Sequence, residues 1–354
     1  MLKQTALTEL LGIELPVIQA PMAGAATPEL AAAVCGAGGL GSLGSAALPP
    51  DELVGQGQAV RELTDRPFNV NFFCHRRPEL EGQDVMRARE RFGPLYGELG
   101  LGEPPDVAVP PIAFDEERLA ALLEIRPAVA SFHFGVPDDV ALNAVHDAGC
   151  RVLSSATTVA EAEHLAGRGV DAVIAQGAEA GGHRGSFLVE GDDGPVGTLA
   201  LVPQVVDAVD IPVIAAGGIG DGRGLAAVLA LGAAGAQIGT AFLACPEVAI
   251  HPVYRAALRA ARAEATTITR AFSGRPARAL RNRAIEEAGD EALAYPAQLS
   301  LSVPLGAAAA ERGSGDFLAM WAGQAAPLAD EMPAAELVAR IVSQAQDVLA
   351  ELSG

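Results

Sequence analysis

Residues 170–185 read Val170-Asp171-Ala172-Val173-Ile174-Ala175-Gln176-Gly177-Ala178-Glu179-Ala180-Gly181-Gly182-His183-Arg184-Gly185, a short apolar run that leads into a glycine-rich loop. The apolar run predicts a buried strand. The glycines are poor helix formers, and they let the backbone approach a ligand closely because no Cβ stands in the way. His183 is the only side chain of this loop that exchanges a proton near neutral pH. We therefore expect a strand that carries a candidate active-site loop.

The same pattern recurs along the first 240 residues, where eight short apolar runs are bounded by Gly, Pro or Asp. Segments with helical periodicity, such as 28–35 and 158–168, separate most of them. Strands that alternate with helices predict parallel β-α units, and eight units favour a closed barrel. An open doubly wound sheet is the alternative, but no G-x-G-x-x-G follows the first run. The eight predicted strands are 16–20, 39–43, 68–72, 128–132, 151–154, 171–175, 211–215 and 236–239.

The fold class predicted is therefore α/β, a (β/α)8 or TIM barrel with a smaller, mostly helical cap that forms a substrate region. Residues 1–250 would form the barrel, with a long insertion at about 73–127. More than a hundred residues follow the eighth strand, which is far more than one closing helix needs. We assign 251–324 to the cap over the barrel mouth and 325–354 to a C-terminal helix that returns to the barrel.

Composition excludes several classes of partner. The formal net charge of −20 argues against nucleic acid and against an anionic membrane surface, since both need clustered Lys and Arg. The four cysteines form no C-x-x-C pair, and the first ten residues resemble no signal peptide, so we expect a reducing cytoplasm. The uncharged stretch 224–246 contains several glycines and predicts a helix, a turn and a strand rather than a membrane span. A homodimer is compatible with the sequence.

Polar residues and glycines follow most of the predicted strands, and the chemistry of such barrels lies at the carboxyl ends of the strands. Glycine-rich turns after the seventh and eighth strands, opening onto a helix N-terminus, are a known way to hold phosphate. Backbone N–H groups of Gly217, Gly218, Gly239 and Thr240 could donate to such a dianion, and the Thr240 hydroxyl could add a bond. The alternative is a pair of tight turns that merely need positive φ.

The remaining candidates have structural alternatives. Asn71 and Gln176 suit the edge of a heteroaromatic ring, or are turn amides that bond their own backbone. His133 is either a site residue or a buried, satisfied histidine. Tyr254 and Tyr295 either close over a substrate or pack in the cap. We expect solvated positions for His75, His146 and His164 and a core position for the single tryptophan, Trp321.

The chain resembles the nitronate monooxygenase family, formerly called 2-nitropropane dioxygenases, and most closely its class I branch. The resemblance runs nearly end to end. One departure is Leu299-Ser300, where the family often has asparagine after the Tyr-Pro-x-Gln segment; this puts the fine shape of the pocket in doubt. The resemblance rests on Gln19-Ala20-Pro21-Met22, Phe68-Asn69-Val70-Asn71, Ser131-Phe132-His133-Phe134-Gly135, the segment from Gln176 to Gly185, Ala215-Ala216-Gly217-Gly218-Ile219, Gln237-Ile238-Gly239-Thr240 and Trp321-Ala322-Gly323-Gln324.

The resemblance implies FMN as the cofactor and no metal. His183 matches the family's catalytic histidine. Tyr254 and Tyr295 look like family tyrosines that line the substrate pocket, and we add His133 to the expected substrate-binding residues. The expected cofactor-binding residues are Ala20, Pro21, Met22, Asn71, Gln176, Gly181, Gly182, Gly217, Gly218, Gln237, Ile238, Gly239 and Thr240.

The implied reaction is the oxidation of an alkyl nitronate, such as propionate 3-nitronate, by molecular oxygen to a carbonyl compound and nitrite through a flavin semiquinone. His183 would hydrogen-bond the nitro oxygens or take the α-proton of a neutral nitroalkane. The alternative is an FMN-dependent NAD(P)H reductase of the enoyl-acyl-carrier-protein or quinone type. A flavin-free lyase or isomerase would want a lysine or a carboxylate at a strand end, and the chain has only Lys3. A degenerate flavin-binding protein is disfavoured by the intact glycine–histidine loop.

Overall fold

The computed structural model describes residues 4–46, 48–188, 195–288 and 291–353. Eleven strands are present in these ranges: β1 Val17–Gln19, β2 Gly41–Gly44, β3 Phe68–Phe73, β4 Val129–His133, β5 Arg151–Ala156, β6 Ala172–Gln176, β7 Gly182–His183, β8 Val213–Ala216, β9 Gly235–Ile238, β10 Thr266–Thr269 and β11 Ala277–Leu280. The helices are α1 Ala6–Leu11, α2 Pro28–Gly36, α3 Pro50–Leu63, α4 Gly82–Glu98, α5 Glu116–Ile125, α6 Asp139–Asp147, α7 Val159–Gly167, α8 Thr198–Ala208, α9 Gly222–Ala230, α10 Pro252–Arg259, α11 Arg283–Ala288, α12 Leu299–Glu311 and α13 Ala334–Ser353.

Eight of the strands form one parallel sheet, in the order β1-β9-β8-β6-β5-β4-β3-β2. The two ends of this sheet meet, because Leu40 forms a parallel bridge with Ile18. The Leu40 N–H donates to the Val17 carbonyl at 3.0 Å, and the Gln19 N–H donates to the Leu40 carbonyl at 2.9 Å. The predicted (β/α)8 barrel is confirmed, and each predicted strand overlaps one strand of this sheet.

The amino-terminal end of the barrel is closed by α1. Leu7 and Leu11 of this helix are buried with Ile18 of β1 and Ile214 of β8 in one apolar cluster. The Thr5 hydroxyl, which precedes α1, donates to the carbonyl of Ala234 at the start of β9, at 2.7 Å. The barrel is therefore accessible at its carboxyl end, where the candidate residues lie.

The last helix packs on the barrel wall. α13 contacts α9 and α2, and a Cβ added at Gly222 of α9 would lie only 2.4 Å from the Ile341 carbonyl oxygen of α13. The stretch 224–246 contains most of α9, a turn and β9, as predicted, and a 3-10 turn at Phe242–Ala244 follows them. Within the described ranges, no helix is long and apolar enough to cross a membrane.

The insertion and the cap region share a second apolar core. Phe92 and Tyr96 of α4 are buried together with Phe272 and with Leu301 and Leu305 of α12. The Tyr96 hydroxyl donates to the Leu301 carbonyl at 2.8 Å. This core lies apart from the cluster between the barrel strands and their helices, so α4 belongs structurally with the segment that follows the barrel.

A small antiparallel sheet, in the order β10-β11-β7, was not predicted. Its edge strand is Gly182–His183, so part of the glycine–histidine loop is strand rather than free loop. His183 pairs with Ala277, and Gly182 pairs with Arg278. The loop therefore takes its conformation from a segment more than ninety residues away.

Candidate active site

A cavity of about 410 Å³ opens at the carboxyl ends of the barrel strands. Its size falls in the range of small-molecule and cofactor sites. Two expected site residues do not line it. The Ile238 side chain is buried in the core, and the Tyr295 ring lies one layer back, with its centroid 5.3 Å from that of His183. The expected residues that do line it are Ala20, Pro21, Met22, Asn71, His133, Gln176, Gly181, Gly182, His183, Gly217, Gly218, Gln237, Gly239, Thr240 and Tyr254.

The backbone of His183 is fixed from two sides. Its carbonyl accepts from the Gln176 side-chain amide at 3.0 Å and from His133 Nε2 at 3.1 Å. Gln176 also accepts from the Gly185 N–H at 2.8 Å, so this side chain bridges the two ends of the loop. Its hydrogen bonds are those of an amide that bonds the backbone of its own turn. The chain beyond the loop is held by the buried carboxylate of Glu161, which accepts from the Phe187 N–H at 2.6 Å.

The His183 ring is held through one nitrogen. Nε2 lies 2.9 Å from the Ser273 hydroxyl, and Ser273 is only 1% exposed. Nδ1 makes no hydrogen bond to any other residue in the described part of the chain, and the ring lines the cavity. A ligand in the cavity can therefore reach one free ring nitrogen of His183.

Three histidines around this point are uncharged at neutral pH. Burial is the largest influence on each of them, since a low-dielectric surrounding disfavours the charged form. It lowers the pKa of His183 to about 3, with a further contribution from the nearby His133 and Arg275. The pKa values of His133 and His75 fall to about 4 for the same reason. A neutral imidazole offers one donor and one acceptor nitrogen.

Aromatic rings surround His183. The centroids of Trp321, Tyr295, Phe134 and Phe73 lie 5.2, 5.3, 5.9 and 6.0 Å from that of His183. Trp321, expected in the core, lies half-buried in the cavity wall and packs on Phe272 of the second core. Tyr254 is fixed beside it, because its hydroxyl donates to the Trp321 carbonyl. These rings give the cavity apolar walls next to the one free imidazole nitrogen.

Two residues that pack against Tyr295, His75 and Phe134, were missed from the sequence. His75, expected to be solvated, is buried, and its ring lies 4.7 Å from that of Tyr295. Phe134 has a positive φ of 69°, which is rare for an aromatic residue. It lies among the three histidines, and the Arg275 guanidinium stacks on its ring at 3.9 Å. Neither position carries a local signal, because both depend on contacts made by the cap.

The glycine turns after β8 and β9 present unpaired donors. Gly217 and Gly218 have φ of 107° and 72°, so both need glycine. Their N–H groups, and those of Gly239 and Thr240, make no hydrogen bond within the described chain. The Thr240 hydroxyl accepts from the Gly323 N–H at 3.0 Å, which leaves its own proton available. These groups can bind an anion.

The N-terminus of α9, the helix that follows β8, does not add donors to this anion-binding group. The first N–H groups of α9 are capped by the Asp221 carboxylate, which accepts from the Arg223 N–H at 3.0 Å. The sequence predicts that these turns open onto a helix N-terminus, but after β8 the Asp221 carboxylate already caps that N-terminus. A second anion there would be repelled by Asp221, so the strand-end turns remain as the donors.

Two amides in the wall fit the edge of a planar ring. The Gln237 side-chain oxygen is buried without a hydrogen-bond partner among the described residues. An unpaired buried acceptor is costly, which favours a ligand that donates to it. Asn71 is fixed by its amide nitrogen, which donates to the Ser131 hydroxyl at 3.0 Å.

The charges of the wall are few. Its carboxylate and imidazole side chains are those of Glu179, His133, His183 and His251, and no Lys or Arg lines the cavity in the described ranges. Those ranges also contain no cluster of three or more His, Cys, Asp or Glu residues that could hold a metal ion.

Comparison with known proteins gives a consistent result. The sequence profile described as nitronate monooxygenase matches residues 4–344. A nitronate monooxygenase of Paraburkholderia phytofirmans is 45% identical over 98% of this chain and 96% of that protein. A nitroalkane oxidase of Streptomyces ansochromogenes is 43% identical with a TM-score of 0.89, over 98% of this chain and 100% of its own. FabK of Thermotoga maritima is 34% identical with a TM-score of 0.78, over 99% of both chains.

Proposed function

The chain belongs to the nitronate monooxygenase family and is an oxidoreductase, and we propose that it oxidises alkyl nitronates with molecular oxygen to a carbonyl compound and nitrite. The main support is one cavity that combines an uncharged, oriented His183 with unpaired backbone donors on the neighbouring strand ends.

We propose FMN as the cofactor. The free N–H groups of Gly217, Gly218, Gly239 and Thr240 would hold the phosphate, and the orphaned Gln237 oxygen with Asn71 would meet the ring system. Ala20, Pro21 and Met22 at the end of β1, with Gly181 and Gly182, would form the remaining wall. Bound FMN would supply the electron acceptor for the oxidation and the route by which electrons reach oxygen.

The side chains of the wall position the substrate. His183 would hydrogen-bond the nitro oxygens through Nδ1, the ring nitrogen that Ser273 leaves free. Its backbone is fixed by Gln176 and His133, so little reorganisation is needed when charge shifts on the substrate. Trp321 and Tyr254 would exclude water from the alkyl part of the substrate. Tyr295 would act from behind, by packing on His183.

The likeness to FabK keeps a second candidate function, an FMN-dependent NAD(P)H reductase. The two functions share the cavity and differ in the electron donor. The aromatic shell and the fixed imidazole serve either reaction, so the electron donor has to be identified in solution.

The test begins with the visible absorption spectrum of purified protein, in which flavin bands near about 370 and 450 nm support the cofactor. The sample is then given propionate 3-nitronate or butane 1-nitronate in air, and NADH or NADPH without oxygen. Nitrite release without rapid reduction by either nicotinamide supports the monooxygenase. Rapid bleaching without nitrite supports the reductase, and a colourless protein that FMN cannot reconstitute contradicts both.

Replacement of His183 by Asn separates catalysis from cofactor binding. We expect bound flavin to remain and turnover to fall by at least about tenfold, as loss of a positioned donor or base requires. Unchanged turnover would remove His183 from the mechanism.

We also propose a reducing cytoplasm as the location of the protein, which the four free thiols Cys35, Cys74, Cys150 and Cys245 support. Light scattering on the purified protein would detect a homodimer.

A further inference from the structure

The contact between Ser273 and His183 joins two parts of the chain. Ser273 lies in the turn between β10 and β11, and its hydroxyl is 2.9 Å from His183 Nε2. The turn is tightly fixed, because Gly274 has φ of 88° and a Cβ there would lie 2.0 Å from the Leu293 carbonyl. Ser273 itself is 1% exposed and does not line the cavity. Its direct contact with the site is the one that its hydroxyl makes with the His183 imidazole.

The Ser273 hydroxyl has one proton and two candidate acceptors. These are His183 Nε2 at 2.9 Å and the Arg275 carbonyl at 3.4 Å. The second distance is too long for a good O–H···O hydrogen bond. The Arg275 N–H, also at 3.4 Å, points at the same hydroxyl oxygen as a weak donor. The arrangement that gives the buried hydroxyl proton a good acceptor is donation to Nε2.

We propose that Ser273 is a positioning residue that fixes the neutral His183 in the Nδ1–H tautomer. Nε2 is then an acceptor, and the free ring nitrogen presents a proton to the cavity. An N–H donor at Nδ1 of His183 suits an anionic nitronate oxygen. Removal of an α-proton from a neutral nitroalkane would instead need a lone pair at Nδ1. Ser273 thereby chooses between the two roles open to His183. This inference rests on the proposed function for its meaning, although the tautomer itself does not depend on turnover.

Nitrogen NMR of the holoenzyme, with ring-labelled histidine, tests the tautomer directly. Protonated and unprotonated ring nitrogens of a neutral imidazole have well-separated shifts, and the spectrum of His183→Asn identifies the ring of interest. We expect wild-type His183 near neutral pH to carry its proton on Nδ1. A proton on Nε2 in the wild-type protein would overturn the proposal, and this measurement needs no Ser273 variant to fold.

The Ser273→Ala variant supplies the second arm. We expect its His183 to shift towards the Nε2–H tautomer, with kcat/KM for a nitronate lowered about tenfold by the loss of one oriented hydrogen bond. Ser302→Ala is the matched control, because Ser302 is also buried and its hydroxyl donates to the Phe272 carbonyl next to Ser273. The control should leave the tautomer unchanged. An unchanged tautomer in Ser273→Ala contradicts the proposal, while a changed tautomer in an enzyme that releases no nitrite contradicts only the proposed function.

Discussion

Replacement of Gly217 by Ala should weaken the cofactor site as well as the fold. Gly217 has φ of 107°, where an L-residue is strained by about 1–2 kcal/mol. An added Cβ would lie 3.0 Å from the Ala180 nitrogen and 3.1 Å from the Thr198 hydroxyl, so the turn must also shift. We expect the free energy of unfolding of the apoprotein to fall by about 1–3 kcal/mol.

The same shift moves donors that we assign to the phosphate. A hydrogen bond to a charged group contributes about 1.5–3 kcal/mol, so the loss of one raises the Kd for FMN by about tenfold to a hundredfold. Riboflavin, which lacks the phosphate, should lose far less affinity. Fluorescence titration of the apoprotein with each flavin, beside urea unfolding, measures both effects.

Gly169→Ala is the matched control for backbone strain. Gly169 has φ of 84°, nothing lies within 4 Å of an added Cβ, and the turn precedes β6 at the opposite end of the barrel. It should lower stability by about 1–2 kcal/mol without changing either flavin affinity. If Gly217→Ala leaves the ratio of FMN to riboflavin affinity at the wild-type value, the phosphate does not lie at this turn.

Three further outcomes are expected. The free energy of unfolding should fall as the pH drops from about 6.5 to about 4, because the unfolded chain binds protons on His75, His133 and His183 that the folded chain excludes; urea unfolding at several pH values measures this, and an equal slope in His75→Asn would contradict it. Butane 1-nitronate should have a kcat/KM at least about tenfold above that of propionate 3-nitronate, because the carboxylate of the latter is a second negative charge that would meet no Lys or Arg of the described cavity wall; steady-state nitrite assays with both decide it. Glu161→Ala should lower the free energy of unfolding by about 2–4 kcal/mol, because the buried Thr157 N–H and the N–H groups of Phe187 and Leu188 lose their acceptor; equal stability of the variant in urea would refute this.

The barrel could be predicted from sequence because its signals are local. Each strand is a short apolar run, and glycines or polar residues follow most of these runs. The turn Gly217-Gly218 illustrates this, since two consecutive glycines with positive φ leave a direct trace in the sequence. His183 was predictable for a similar reason, because it lies among glycines that a core position would not need.

The support of the site could not be predicted, because it comes from distant segments. Ser273 and His183 are separated by 90 residues and meet only through pairing of β7 with β11. His75 has polar neighbours in sequence, and its burial arises from packing against Phe134 and Tyr295. No period of two or of 3.6 encodes such contacts.

The second apolar core also has a consequence for synthesis of the protein. α4 buries Phe92 and Tyr96 against partners in α12, and the hydrogen bond from Tyr96 to Leu301 spans 205 residues of chain. On the ribosome, five of the eight barrel strands, β4, β5, β6, β8 and β9, emerge between these two helices. The apolar face of α4 therefore stays unpaired until α12 has been translated. A nascent chain arrested before α12 should bind chaperones that recognise exposed apolar surface.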